Sequence, residues 1–223
     1  MRIGILSDVH SNLFALRSVL EDSNFDLILH SGDVVGYNPF PNEVINQFRK
    51  HDVISILGNH DKAVIGSAKY NFPDYVDKAI QWSKKNLSEE NTHYLKQLQS
   101  SNSIEVDGKV LRLVHGSPSD PNEYVYPTDV TLDLVNNLDT GVDVLIWGHT
   151  HYPIITKIND VSLLNPGSVG QPRDGDWRAC YIEYNTSESS ITLHREKYDL
   201  EALRKKHKRT SLPKEIVERF YQE

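Results

Sequence analysis

The chain has 223 residues, enough to bury roughly three quarters of the surface its unfolded form exposes, so one domain spanning 1–223 is expected. Its formal charge of −7 argues against broad nucleic-acid binding, which draws its affinity from lysine and arginine on phosphates. One cysteine, Cys180, excludes an intramolecular disulfide framework and fits a reducing compartment. No apolar run approaches the roughly 20 residues of a membrane span, and a strand begins at once with no room for a cleavable signal. A cytoplasmic protein without a membrane partner is expected.

In chain order, apolar runs at Ile3–Leu6, Leu27–Leu29 and Val53–Leu57 alternate with helical patterns at about Leu13–Glu21 and Asn42–Lys50. The pattern reads β-α-β-α-β. Parallel strands joined by right-handed crossovers bring their C-terminal ends to one sheet edge, where open α/β sheets bind ligands. Asp8, Asp33 and Asn59 follow the three strands at intervals of 25 and 26 residues and are expected to converge there. From about 62 to 101 the chain reads as a helical insert. Val76, Ala79, Ile80, Ser83 and Leu87 form one stripe of it, and a second helix is expected near Glu89–Leu98. The insert is either a packing layer or a cap that restricts access to the sheet edge. A hairpin follows, from Ser103–Val106 through an Asp107-Gly108 turn to Lys109–Val114, and its return strand delivers His115. Asp143–Trp147 reads as a buried strand ending in Gly148-His149-Thr150-His151. Ile154–Ile158, a turn at Asn159-Asp160 and Val161–Leu164 come next, so the loop 165–175 returns to the same edge. Cys180 lies in the β-rich run Trp177–Tyr184 and is expected to be a core thiol. The basic cluster Arg204–Arg209 belongs to a helical tail, about 199–223, as a solvated face or a docking patch.

The chemistry lies in one ordered series: Asp8-Val9-His10, Gly32-Asp33, Gly58-Asn59-His60, His115-Gly116 and Gly148-His149-Thr150-His151. Five of the ten histidines fall in these fragments, each where a strand meets a loop. Residues two apart on an extended backbone point the same way, so His149 and His151 are expected to face one centre, as Asp8 and His10 do. Glycine at 148 lets the backbone come close. Asp, His and Asn without Cys form a mixed nitrogen and oxygen donor set, which suits Mn(II), Fe, Ni or Zn better than an all-oxygen calcium cage. Two divalent ions are expected, one on Asp8, His10, Asp33 and His151, the other on Asp33, Asn59, His115 and His149, with Asp33 as the bridge. Two ions about 3.5 to 4 Å apart turn a shared water into hydroxide and neutralise an in-line phosphoryl transition state. No Ser or Cys nucleophile is then needed. His60 is the candidate general acid for the leaving oxygen, pointing elsewhere than Asn59 on an extended backbone, or else a histidine that orients a ligand. Asp61 is expected to cap the helix that follows. In the loop 165–175, Arg173 and Ser168 are the candidate substrate contacts, with glycine N–H groups and a guanidinium suited to phosphate. A plain structural loop is the alternative.

This series resembles the calcineurin-like metallophosphoesterase superfamily, whose pattern is Asp-x-His, Gly-Asp, Gly-Asn-His, a central His and Gly-His-x-His. The match runs from Asp8 to His151 with no ligand missing. Gly32–Tyr37, Leu164–Ser168 and Gly170–Gly175 look like the small prokaryotic members described as phosphodiesterases or phosphatases. The resemblance implies an α/β fold, a four-layer α-β-β-α sandwich of two mixed sheets with flanking helices, and the metal and acid assignments above. One departure matters: the protein serine/threonine phosphatases of the superfamily carry an aspartate and an arginine where this chain has Gly36 and Tyr37. The aspartate that orients the acid histidine is therefore absent, and a phosphoprotein substrate is disfavoured. The expected activity is two-metal hydrolysis of a small-molecule phosphodiester or phosphomonoester, with manganese the first choice of metal. Two alternatives stand beside it. A silent protein-binding scaffold, known from a branch that became a subunit of a protein-sorting coat, typically shows eroded catalytic histidines, and here all are present. A DNA nuclease is disfavoured by charge and by the lack of an aromatic-basic groove. Homo-oligomerisation is left open.

Overall fold

The computed structural model describes residues 1–21 and 24–219. Its first part follows the expected alternation: β1 (Arg2–Leu6), α1 (Leu13–Glu21), β2 (Leu27–His30), α2 (Pro41–Lys50) and β3 (Ile54–Ser55). These three strands are parallel neighbours, with Ile3 opposite Leu27 and Leu29 opposite Ile54. β3 is shorter than its apolar run because Leu57 leaves the ladder and donates its N–H to the Gln99 carbonyl. The insert contains α3 (Asn59–Val64), α4 (Asp74–Asn86) and α5 (Glu89–Gln97), so it begins three residues before the expected boundary. Val76, Ala79, Ile80 and Ser83 are the buried face of α4, and Ser88 caps α5 by accepting from the Asn91 N–H.

The second part starts with the hairpin β4 (Asn102–Val106) and β5 (Lys109–Leu113), joined at Asp107-Gly108. After α6 (Leu132–Asn136) come β6 (Val144–Ile146), β7 (Pro153–Ile158) and β8 (Val161–Pro166). β9 (Ala179–Asn185), β10 (Ser190–Glu196), α7 (Leu200–His207) and α8 (Glu215–Glu218) follow. The end of the expected tail, 220–223, lies outside the described residues. No helix among the described residues is long and apolar enough to cross a membrane.

The strands form two five-stranded mixed sheets, in the orders β10-β9-β1-β2-β3 and β4-β5-β6-β8-β7. β5, β6 and β8 are parallel to one another, as β1, β2 and β3 are. The sheets face each other across Ile3, Ile5, Leu29 and Ile56 on one side and Leu111, Leu113, Val144, Ile146 and Leu164 on the other. Strand periodicity divides each strand between layers: Val144 and Ile146 point into this core, while Leu145 packs outward with Trp147, Leu163 and Leu134 of α6. Ile28 turns to the other outer layer, among residues of α1, α2 and α4. Each fully buried leucine or isoleucine contributes roughly 1.5–3 kcal/mol, so the double core fixes strand register and the positions of the strand ends. Cys180 is wholly buried in β9, as expected of a core thiol.

Candidate metal centre

Every motif fragment sits just beyond a parallel strand. Asp8 and His10 follow β1, Asp33 follows β2, Asn59 and His60 follow β3, His115 follows β5, and His149 and His151 follow β6. All seven side chains proposed from the sequence as ligands come together and are buried, as is His60. The expected reason for their orientation does not hold, however. Asp8 (φ 52°), His10 (47°), Asp33 (63°), His149 (69°) and His151 (63°) all adopt left-handed backbone conformations, so extended-chain parity does not aim them. Such conformations cost an L-residue roughly 1–2 kcal/mol, and tight turns at the strand ends impose them here. Asn59 and His60 are the first residues of α3 and not part of an extended segment; helical geometry separates their side chains.

Two buried groups share this edge, Asp8 with His10 and His151, and Asp33 with His115 and His149; Asp33 also groups with His10 and His60. His151 Nε2 lies 3.2 Å from Asp8 Oδ1, and His115 Nε2 lies 3.4 Å from Asp33 Oδ2. His10 Nε2 is 3.6 Å from each of those two carboxylate oxygens and 3.1 Å from His151 Nε2. Asn59 Oδ1 is 3.0 Å from His115 Nε2. The far nitrogens are held by carbonyls. His10 Nδ1 donates to Val35, His115 Nδ1 to Ser31 and His151 Nδ1 to Gln171, which leaves each Nε2 lone pair aimed into the cluster. His149 is turned the other way, its Nε2 donating to the Asn122 carbonyl at 3.2 Å, so Nδ1 faces inward. Asp8 Oδ2 accepts from Ser7 Oγ at 2.5 Å and from the His149 N–H at 3.0 Å, whereas Asp8 Oδ1 is buried with no hydrogen-bond partner. An unpartnered buried carboxylate oxygen surrounded by imidazole lone pairs fits a divalent transition metal.

The charges agree. Burial disfavours ionised Asp8, yet His151 and His115 hold it well below the usual carboxylate range. Asp33 behaves likewise, with His115 and His60 overcoming its burial. Burial also opposes a cation on His115, but Asp33 and Asp8 push it up to about 9. His149 and His60 are lowered by burial to about 3 and about 4. His10, His149 and His151 are thus kept neutral, as metal ligation requires, while His115, facing both carboxylates, attracts a proton that a metal cation in the same field would displace.

Two glycines permit this packing. A Cβ on Gly148 would lie 1.9 Å from Ser7 Oγ and 2.6 Å from Asp8 Oδ2, so only glycine allows the close approach. Gly36 has φ +117°, and a Cβ there would meet His60 Nδ1 at 2.6 Å. No side chain fits at 36 to partner that nitrogen, which is buried and unpartnered. His60 is enclosed instead by rings, Tyr37 at 4.7 Å and Phe72 at 5.1 Å between centroids.

A cavity of about 220 Å³ opens over the cluster, lined by His60, Asn59, His149 and His151 and walled by Tyr37, Tyr124 and Arg173. Arg173 donates to Tyr37 Oη at 3.2 Å, and its Nε is buried without a partner. Phe72, Pro73 and Tyr75 at the start of α4 close another side, so the insert is at once a packing layer and a cavity wall. Ser168 is not in the cavity. Its buried hydroxyl donates to the Asp8 carbonyl at 2.7 Å and accepts from the Gln171 N–H, because its loop docks beneath the β1 turn. The loop 165–175 is therefore largely structural, with Arg173 alone of the two expected contacts reaching the cavity.

Sequence reasoning undervalued Asp61. Besides accepting from the Gly58 N–H at the start of α3, its buried carboxylate accepts from the N–H groups of Asp33, Val34 and Val35. Burial and the Asp33 charge push it up to about 7 against those donors. Its position three residues after the α3 cap was the only signal in the sequence. Asn122 and Asn38 were missed altogether, since single asparagines in loops carry no pattern.

Two facing mixed sheets with buried Asp, His and Asn side chains at their common edge define a protein of the metal-dependent phosphoesterase class. The chain belongs to the calcineurin-like phosphoesterase superfamily, whose domain model matches residues 1–188, and is a hydrolase of that family. An uncharacterised protein of Methanocaldococcus jannaschii is 33% identical, covering 98% of this chain and 97% of that one. The crystal structure of a metallophosphoesterase from Sphaerobacter thermophilus superposes with a TM-score of 0.86 at 33% identity, over 99% of this chain and 98% of that one. A phosphodiesterase of Methanocaldococcus jannaschii is 27% identical over 75% of this chain and 83% of that one.

Proposed function

We propose that this protein hydrolyses a small-molecule phosphodiester, or a phosphomonoester, with two divalent transition-metal ions. Asp8, His10, Asp33 and His151 would hold the first, and Asp33, Asn59, His115 and His149 the second, manganese being the first choice. The observation that carries the reading is the pair of buried histidine–carboxylate groups meeting at Asp33, with Asp8 Oδ1 left unpartnered. When bound, the metal supplies the Lewis acid that activates water and offsets phosphoryl charge.

The chain's own residues supply the rest. Asp33 Oδ2 lies 3.6 Å from His10 Nε2 and 3.4 Å from His115 Nε2, so Asp33 would serve both ions, while Asp33 Oδ1 accepts from the His60 N–H and holds that residue beside the cluster. Arg173 binds the phosphoryl anion from the cavity wall. His60 protonates the leaving oxygen; its Nδ1 has no protein partner, and a bound phosphate ester brings the negative charge that favours its cation. Ser168 acts as a positioning residue through its bond to the Asp8 carbonyl. The named phosphodiesterase relative supports a diester substrate. None of the candidate ligand positions is replaced, which favours an enzyme over a scaffold. The single buried thiol supports a reducing, cytoplasmic setting.

The test is hydrolysis of bis-p-nitrophenyl phosphate by chelator-stripped protein reloaded with Mn(II), alongside metal analysis. Turnover and two bound ions are expected, and Asp33→Ala should lose both. Failure to hydrolyse it, or p-nitrophenyl phosphate, at full loading with any of Mn, Fe, Ni or Zn would overturn the reading.

A further inference from the structure

One residue lining the cavity, Arg219, comes from the C-terminal segment, beyond the residues matched by the family model. This segment is anchored to the metal edge. Leu203 of α7 is wholly buried, and His207 Nε2 lies 3.0 Å from Asn38 Oδ1, whose Nδ2 donates to the His10 carbonyl at 3.0 Å. Leu212, Ile216 and Val217 then enter the core beside α4, against which α8 packs. The chain so placed carries Arg219 to the mouth of the cavity, its guanidinium carbon 5.0 Å from the centroid of the Tyr75 ring.

Arg219 is exposed, whereas Arg173 sits deep in the same cavity. Among the described residues no carboxylate pairs with either. Both guanidinium groups line the same cavity of about 220 Å³, together with Tyr37. A guanidinium lying over a tyrosine face is held in orientation by the ring, and its N–H edge stays free for a planar oxyanion. One arginine suffices for the reacting phosphoryl; a second at the mouth has no task in that step.

We propose that Arg219 is a specificity residue that binds a second anionic group of the substrate, a phosphate or a carboxylate, while Arg173 and the ligand cluster hold the reacting phosphoryl. The inference rests on the hydrolase reading above and names its substrate class: organic phosphates carrying two separated anionic groups. Tyr75 orients Arg219, and α8 places it.

The test is competitive inhibition of bis-p-nitrophenyl phosphate turnover by three ligand sets: methylphosphonate, alkylene bisphosphonates with spacers of increasing length, and the matching phosphonocarboxylates. The wild type should bind one bisphosphonate or phosphonocarboxylate roughly tenfold more tightly than methylphosphonate, the gain of one exposed charge-assisted contact. Which set shows the gain tells phosphate from carboxylate. Arg219→Gln should erase the advantage, and Arg219→Lys should restore part of it. No advantage at any spacing, or an advantage that survives Arg219→Gln, overturns the proposal. Absence of turnover in the wild type would instead sink the hydrolase reading, so the two failures are distinct.

Discussion

Gly148→Ala tests whether the cluster depends on backbone approach. The added methyl would sit 1.9 Å from Ser7 Oγ and 2.6 Å from Asp8 Oδ2, so the Ser7 hydroxyl must leave and Asp8 must shift. Overpacking of this kind costs about 1–3 kcal/mol. The lost Ser7-to-Asp8 hydrogen bond, to an ionised group, adds about 1.5–3 kcal/mol. Gly148→Ala is therefore expected to destabilise the metal-free protein by about 2.5–6 kcal/mol, and Ser7→Ala by about 1.5–3 kcal/mol. The double variant should cost about 1.5–3 kcal/mol less than the sum, because the alanine at 148 has already removed the bond that Ser7→Ala deletes. Urea unfolding of the four proteins, with chelator present and slopes compared, measures the cycle. Metal analysis should show poorer loading in Gly148→Ala, since Asp8 Oδ1 moves with its carboxylate. Additivity within about 0.5 kcal/mol would refute the reasoning, as it is the behaviour of independent sites.

His60→Ala should lower turnover by about 10²–10⁴-fold with both metals retained, checked by rates beside metal analysis; unchanged turnover removes His60 from proton transfer. Cys180, wholly buried with its thiol pushed up to about 12 by burial, should resist a thiol reagent in the native protein and react on addition of denaturant. Prompt native labelling contradicts that. Burial lowers His207 to about 4, so below about 6.5 the unfolded chain binds the extra proton and stability falls with pH until about 4. At pH 5 the loss is about 2 kcal/mol, and His207→Gln should flatten the difference between urea midpoints at pH 7 and pH 5. Equal pH slopes in the two proteins would show that His207 titrates alike in both states.

The parallel core and the residues gathered at its edge were legible because two local signals coincide. β-branched runs of period two or full burial mark the strands, and in an α/β sheet each strand must deliver its next residues to the same edge. Asp8, Asp33 and Asn59 needed nothing more. Elements with weaker local patterns were not legible: β10 has a mixed surface, and α6 is one short turn beneath the second sheet. The direction of individual side chains was also out of reach. Extended-chain parity placed His149 and His151 together for the wrong reason, because their backbones turn left-handed where two hydrogen-bonded loops collide.

Residue order alone therefore determined which groups share an edge, since strand spacing is a local property. Tertiary structure decided everything that depends on contacts distant in sequence. It turned Ser168 away from the cavity to hold the Asp8 carbonyl, and gave Asp61 the task of binding the Asp33 turn. It also brought Arg219 from the far end of the chain to the rim of the site. A side chain's direction is set by the neighbours that fill the space around it, and those come from segments that no local pattern relates.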